Sequence, residues 1–228
     1  MDFHVPDHVT QRTGSQCQFS LCWGAVGAWE AAAASGSTVK VTPEEFARKA
    51  GGGSGAPNPA TGCKTGFERD LQRGLNNLGL DNDLFMIPFA DFRDRMSRPR
   101  REVFAVAVDY EKWPAEKDCM NGSAVDVNHM VGYICGVDDK GRIRVMNPLC
   151  DDYQLVRLSE LQVAASSFAR ARSREGILVS RVARPKIAGL PADKARIADL
   201  EDLVERQGDY IATARRTFQD GLELPVPQ

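Results

Sequence analysis

The chain has 228 residues, enough for one domain with a sizeable core and an appendage. Charged residues make up 26% of it and the formal net charge is -2, so no basic surface for nucleic acid is expected. No apolar run approaches the roughly 20 residues that a membrane-spanning helix needs. Because the first residues also lack the pattern of a secretion signal, we expect a cytoplasmic protein at synthesis, one that is exported or virion-associated only by another route.

Six cysteines are scattered along the chain without any CxxC pair, which argues against a structural zinc site. They are Cys17, Cys22, Cys63, Cys119, Cys135 and Cys150. His4 and His8 are four residues apart, but Pro6 between them argues against the helix that would direct both at one metal. We therefore expect no metal and no cofactor.

The first half of the chain predicts helices. Residues 22–34 are apolar and alanine-rich, and Ser35-Gly36 ends this helix. Thr42-Pro43-Glu44-Glu45 is a capping box with proline at the first helical position, and it predicts a short helix that ends at Gly51. After a Gly/Pro-rich loop, apolar residues recur at helical spacing from Phe67 to Leu78.

The second half predicts strands, because its apolar runs are short and rich in β-branched residues. The predicted strands are residues 102–110, 129–137, 142–147, 153–158 and 176–182, with a helix at 159–170. Residues 183–192 form a Pro/Gly-punctuated linker, and 193–228 form a helical appendage. The stripe at 193–219 fits either a helix packed back on the domain or a helix for docking or self-association, and it is too broken for a coiled coil.

Three residues far apart in sequence have the chemistry of a cysteine-nucleophile hydrolase. Cys22 begins a predicted helix, whose dipole and unpaired N–H groups favour a negative sulfur. An ordinary thiol has a pKa near 8.5, so a nucleophile also needs an activating base. His129 can hold the thiolate as an ion pair and then protonate the leaving amine, and Asn147 can orient the imidazole.

A developing oxyanion needs hydrogen-bond donors, and Gln16 lies six residues before Cys22. Its amide and the Cys22 backbone N–H are the expected donors, and losing one such donor costs on the order of 3 kcal/mol of barrier. Cys17 is a rival nucleophile because Gln11 lies six residues before it, but Cys17 lacks a following tryptophan and a helix. Each of these residues also has a purely structural interpretation. Cys22 fits an inert core cysteine, His129 an ordinary buried histidine of a strand, and Asn147 a residue of a turn.

Residues 5–147 resemble the papain-like cysteine peptidases in four motifs. The segment 16–23 is similar to that family's segment in which a glutamine precedes the nucleophile and a tryptophan follows it. Residues 62–66 are similar to its Gly-Cys-x-Gly-Gly segment, 128–133 to its histidine strand, and 145–147 to the strand that ends in its asparagine. The Asn-Pro pair after that strand gives the chain some similarity to the peptidases that cut bacteriocin leaders.

The resemblance implies a two-lobed α+β fold over residues 1–182, with a helical lobe at about 15–98 and an antiparallel sheet or barrel at about 99–182. It implies substrate contacts from Trp23, Thr65, Gly66 and Asn128, and a disulfide between Cys17 and Cys63. The family's shielding tryptophan is missing after the asparagine, where Pro148-Leu149-Cys150 follows.

The resulting hypothesis is a thiol-dependent peptidase that forms a Cys22 acyl-enzyme on a polypeptide substrate, with no nucleic-acid or membrane partner. The alternatives are a peptidoglycan amide hydrolase and a structural or binding component of a larger assembly such as a phage particle.

Overall fold

A computed structural model describes residues 5–58, 61–98, 102–119 and 128–182. The predicted linker at 183–192 and the appendage at 193–228 lie outside the described residues, as does His4. Among the residues that are described, no helix is long and apolar enough to cross a membrane.

Three helices precede the first strand of the sheet. They are α1 at Cys22–Ala34, α2 at Pro43–Lys49 and α3 at Glu68–Asn77. The predicted capping box starts α2, since Thr42 Oγ1 accepts from Glu45 N–H while the Glu45 carboxylate accepts from Thr42 N–H. In the described part of the chain two further α-helices follow, α4 at Phe92–Ser97 and α5 at Leu158–Arg170.

Six antiparallel strands of the described residues form one sheet in the order β1-β6-β2-β3-β4-β5. Their bounds are β1 Asn82–Pro88, β2 Val103–Asp109, β3 Asn128–Ile134, β4 Arg142–Met146, β5 Gln154–Arg157 and β6 Gly176–Val182. Strand β2 pairs with β3 at Val108 and His129, and β3 pairs with β4 at Gly132 and Met146. This register places the end of β4 beside the middle of β3, so that the start of β3, with His129, lies at the same end of the sheet as the residues that follow β4.

The sheet has a hydrophobic cluster on each face. Alternate residues of β2 divide between them: Phe104 and Val106 pack with α4 and α5, whereas Ala105 and Ala107 pack with the α1–α3 side. The first ten residues of α1, Cys22–Ala31, are all buried, which explains why the helix is apolar on every side. Gly132 lets α1 approach β3, because a Cβ there would lie 2.4 Å from a ring atom of Trp29.

The α+β class predicted from the sequence is confirmed, with helices first and an antiparallel sheet carrying the histidine. Strand β1 was not predicted and lies inside the stretch expected to be helical. It pairs with β6 at the sheet edge, and its sequence, NDLFMIP, has no clean alternation of apolar and polar residues. Its structure depends on a partner almost a hundred residues away.

Candidate active site

Cys22 is the first residue of α1, and only 5% of its surface is exposed. Leu21 at the N-cap provides no side-chain hydrogen bond to the first turn, and Cys22 follows it at the first helical position. That position favours negative charge on sulfur through the helix dipole. Among the described cysteines, Cys22 and Cys135 are the two outside disulfides.

His129 and Asn147 form a buried hydrogen bond of 2.9 Å between His129 Nε2 and Asn147 Oδ1. Asn147 is completely buried, directly after β4. The same oxygen accepts from the Leu149 backbone N–H at 3.1 Å, and a backbone N–H can only donate. The asparagine oxygen must therefore face both groups, so Nε2 carries the imidazole proton and Nδ1 is left as the basic nitrogen.

Burial lowers the pKa of His129 to about 4, although the hydrogen bond that His129 donates to Asn147 acts in the opposite direction. Its side chain is almost fully enclosed, with the Tyr110 ring centroid 5.0 Å away in an edge-on arrangement. At neutral pH the imidazole is therefore uncharged in the resting site. This burial acts against the preformed ion pair expected from the sequence, and a sequence does not reveal how deeply an imidazole is buried.

Cys22 and His129 line the same narrow cleft. Its other lining residues are Thr65, Gly66, Phe67, Ala107, Asn128, Met130 and Phe168. The volume open to the centre of a water molecule is about 10 Å³, on the order of one water position. The cleft thus brings together the predicted nucleophile, the predicted base and three of the predicted substrate contacts, Thr65, Gly66 and Asn128.

One wall of the cleft is fixed by a disulfide and by close packing. Cys17, just before α1, is bonded to Cys63, just before the wall residues Thr65 and Gly66. A Cβ at Gly66 would lie 2.3 Å from the Trp23 ring, so the wall approaches α1 as closely as glycine permits. Trp23 is therefore a completely buried support for the wall and is absent from the cleft lining.

The aromatic side of the cleft is also supported from behind. The Arg172 guanidinium lies 3.7 Å from the Phe168 ring centroid and 5.1 Å from that of Phe67. It also donates to Asn128 Oδ1 from both terminal nitrogens, at 3.3 Å. One arginine therefore links three lining residues, which keeps this side of the cleft in a single arrangement.

Gln16 is exposed, and neither Gln16 nor Gln11 is among the described residues that line the cleft. Gln11, in contrast, is 1% exposed, and its backbone N–H donates to the Pro148 carbonyl next to Asn147. Gln11 Oε1 is buried without a hydrogen-bond partner among the described residues.

Sequence reasoning also missed residues that surround Asn147. His8 Nε2 lies 3.1 Å from the Asn147 carbonyl oxygen, so the N-terminal arm packs on the site. Tyr110 and Gln154 contact the Asn147 carboxamide at 3.5 and 3.2 Å. A second disulfide joins Cys119 to Cys150, three residues after Asn147. No motif in the sequence marks these residues, because their roles depend on chain segments meeting in space.

No family model and no curated protein matches the sequence. Among solved structures, the peptidase domain of Streptococcus ComA, a bifunctional ABC transporter of a quorum-sensing pathway, has a TM-score of 0.48 and 11% identity, covering 78% of this chain and 98% of that chain. A double-glycine-motif protease from an AMS/PCAT transporter, in complex with the leader peptide, has a TM-score of 0.46 and 11% identity, covering 78% and 94%.

The Pseudomonas avirulence protein AvrPphB has a TM-score of 0.36 and 9% identity, covering 80% of this chain and 98% of that chain. At such scores and identities the likeness concerns the fold alone, and an activity has to be argued from the geometry of the site.

Proposed function

We propose that this protein is a thiol-dependent peptidase in which Cys22 is the nucleophile and His129 the acid and base. The observation that carries the proposal is one cleft lined by the sulfur of a helix-terminal cysteine and by a histidine whose Nε2 is held by Asn147. A cysteine, a base and a residue that orients the base are the elements of nucleophilic catalysis by a thiol.

Acylation starts from the neutral pair. When the scissile carbonyl enters the cleft, His129 Nδ1 takes the thiol proton, and the sulfur attacks the carbonyl carbon to form a tetrahedral intermediate. The C–N bond then breaks as the imidazolium gives that proton to the leaving amine, which leaves a thioester on Cys22. Asn147 keeps the ring oriented throughout, because its oxygen accepts from Nε2–H in the neutral and the charged form.

Deacylation repeats these steps with water as the nucleophile. His129 Nδ1 takes a proton from the water, the hydroxide attacks the thioester carbonyl, and the C–S bond breaks as Cys22 regains a proton. The cleft has room for about one water position beside these groups. The products are a carboxylic acid and the original thiol.

The oxyanion is assigned to the Cys22 backbone N–H and one glutamine. Burial favours Gln11 over the predicted Gln16, because a donor fixed away from water stabilises charge more strongly than an exposed one. We expect Gln11→Ala to lower kcat about 100-fold and Gln16→Ala to leave it nearly unchanged. The reverse ranking would restore the assignment to Gln16.

A polypeptide is the proposed substrate, since the lining offers apolar contacts and small residues without a charged pocket floor. Among the described residues, the cleft lining holds no lysine, arginine or carboxylate. The two sequence alternatives, a cell-wall amide hydrolase and a component of a larger assembly, are outcomes of the test below.

The test is labelling with a peptidyl epoxide directed at thiol peptidases, followed by mass spectrometric mapping of the adduct. Cys135 is the internal control, because it is as buried as Cys22, at 5% exposure, and is also outside the disulfides. We expect an adduct on Cys22 alone in the wild type, and slower labelling by at least tenfold in His129→Ala.

We also expect the wild type to cleave a fluorogenic casein and the Cys22→Ala variant to have lost this activity. Labelling of Cys135 at the same rate would mean that Cys22 has no special reactivity and would contradict the proposal. Labelling without casein cleavage, together with release of fragments from purified cell walls, would favour the amide hydrolase. Absence of both labelling and cleavage would favour the assembly component.

A further inference from the structure

The carboxamide of Asn147 has hydrogen-bond partners on both ends. Its oxygen accepts from His129 Nε2 and Leu149 N–H, and its nitrogen donates to Gln154 Oε1 at 3.2 Å. Among the described residues, the Tyr110 hydroxyl, at 3.5 Å, is the only other acceptor within reach of that nitrogen. A buried amide N–H without an acceptor destabilises the folded protein. Gln154 Oε1, the nearer of the two acceptors, is therefore the main hydrogen-bond partner of the Asn147 nitrogen.

Gln154 is itself oriented by the backbone. Its Nε2 donates to the Lys117 carbonyl at 2.8 Å and lies 3.4 Å from Cys119 Sγ. A carbonyl can only accept, so the amide nitrogen must face Lys117 and the oxygen must face Asn147. The direction of every bond from Lys117 to the imidazole is therefore determined.

We infer that Gln154 is a positioning residue for His129, acting through Asn147; this inference rests on the proposed peptidase function. The Lys117 carbonyl orients Gln154, which together with the Leu149 N–H orients Asn147, whose oxygen then demands a proton on His129 Nε2. The lone pair is thereby left on Nδ1, where the thiol proton has to be received. A reversed Asn147 amide would turn its N–H toward the Leu149 N–H and favour the opposite imidazole tautomer.

The Cys119–Cys150 disulfide secures the anchor of this relay. Cys119 follows Lys117 by two residues, and Cys150 is in the turn that carries Asn147, where its N–H donates to the Asn147 carbonyl at 2.9 Å. The bridge therefore ties the carbonyl that orients Gln154 to the turn that presents Asn147. Without the disulfide, the position of the Lys117 carbonyl relative to Asn147 is no longer fixed.

The test uses Gln154→Met, which keeps the shape of the side chain and removes its hydrogen bonds to Asn147 and Lys117. The matched control is Gln162→Met on α5, where the lost hydrogen bond goes to the Phe89 carbonyl. We expect Gln154→Met to lower kcat about tenfold with KM unchanged. Gln154→Glu keeps an acceptor for Asn147 but sets an oxygen against the Lys117 carbonyl, so its kcat is expected to lie between those of wild type and Gln154→Met.

The decisive readout is the ¹⁵N spectrum of His129, which reports the tautomer without reference to activity. We expect the Nε2–H form to dominate in wild type and Gln162→Met, and a mixture with the Nδ1–H form in Gln154→Met. Replacing Cys119 and Cys150 by serine should give the same mixture, whereas replacing Cys17 and Cys63 should leave the spectrum unchanged.

Unchanged ¹⁵N shifts in Gln154→Met, or a kcat equal to that of Gln162→Met, would overturn the inference. The failure of the proposed function is distinguishable from this. If casein cleavage by the wild type does not depend on Cys22, the proposed function fails, while the His129 spectrum of Gln154→Met still decides whether Gln154 positions the imidazole.

Discussion

The burial of His129 makes the free energy of unfolding depend on pH. Burial lowers the pKa of His129 to about 4 from the ordinary 6.5. Between these values the unfolded chain binds a proton that the folded protein does not, so the free energy of unfolding falls as the pH drops from about 6.5 to 4. The loss over that window is on the order of 3 kcal/mol.

Urea denaturation at pH 4.5 and 7, compared with His129→Gln, measures this loss. His8→Gln is a useful second comparison, because burial also lowers the pKa of His8 and its contribution has the same sign. The variant lacking His129 should lose less stability on acidification than the wild type. A greater loss in the variant would mean that the imidazole is charged in the folded site, as in a resting ion pair with Cys22.

At the scale of elements, α1 buries a carboxyl group against the sheet. Glu30 is completely buried, with both carboxyl oxygens within 3.3 Å of the Ser180 hydroxyl on β6. Burial raises the pKa of Glu30 to about 8, although the hydrogen bond to Ser180 lowers it. The side chain is therefore protonated at neutral pH, which is the form that a low-dielectric interface favours.

The folded protein keeps the Glu30 proton between about pH 4.5 and 8, where the unfolded chain has lost it. The free energy of unfolding therefore falls as the pH rises through this window, by on the order of 5 kcal/mol. In Glu30→Gln this fall should disappear in denaturation curves at pH 5 and 8.5. Parallel pH curves for the two proteins would show that Glu30 does not gain a proton on folding.

The contact between α1 and β3 predicts a coupled pair of substitutions. Gly132→Ala introduces a Cβ at 2.4 Å from the Trp29 ring, so the helix has to move, at a cost of about 1–3 kcal/mol. Trp29→Leu makes room for the methyl group, and in a double-mutant cycle the cost of Gly132→Ala should shrink on that background. Equal costs on both backgrounds would mean that the strand, and not the helix, accommodates the methyl group.

The elements that were predicted well from the sequence are those whose formation depends on residues close to one another along the chain. Helix α1 and the capping box of α2 depend on residues within one or two turns, and the structure has both near the expected bounds. Strand β1 and the packing of Gln11 depend on distant partners, which a single sequence does not reveal. The predicted candidates Cys22 and His129 do line one cleft, but the depth of burial that lowers the His129 pKa follows only from the assembled fold.

At the scale of the molecule, two disulfides hold opposite parts of the site. Cys17–Cys63 joins the segment before α1 to the cleft wall, and Cys119–Cys150 joins the loop after β2 to the turn of Asn147. Disulfides persist in oxidising compartments and are rare in the cytosol. The cytoplasmic location stays a prediction, and these two bridges are unusual for that compartment.

Removing the two disulfides one at a time should affect KM and kcat separately. The pairs are 46 and 31 residues apart in sequence, so loop entropy predicts that serine at both positions of either pair costs about 4 kcal/mol. The Cys17/Cys63 variant should raise KM because the wall at Thr65 and Gly66 is released, whereas the Cys119/Cys150 variant should lower kcat because His129 loses its orientation. Calorimetry with and without dithiothreitol checks the stability term, and a fall in kcat for both variants alike would show that the bridges support only the overall fold.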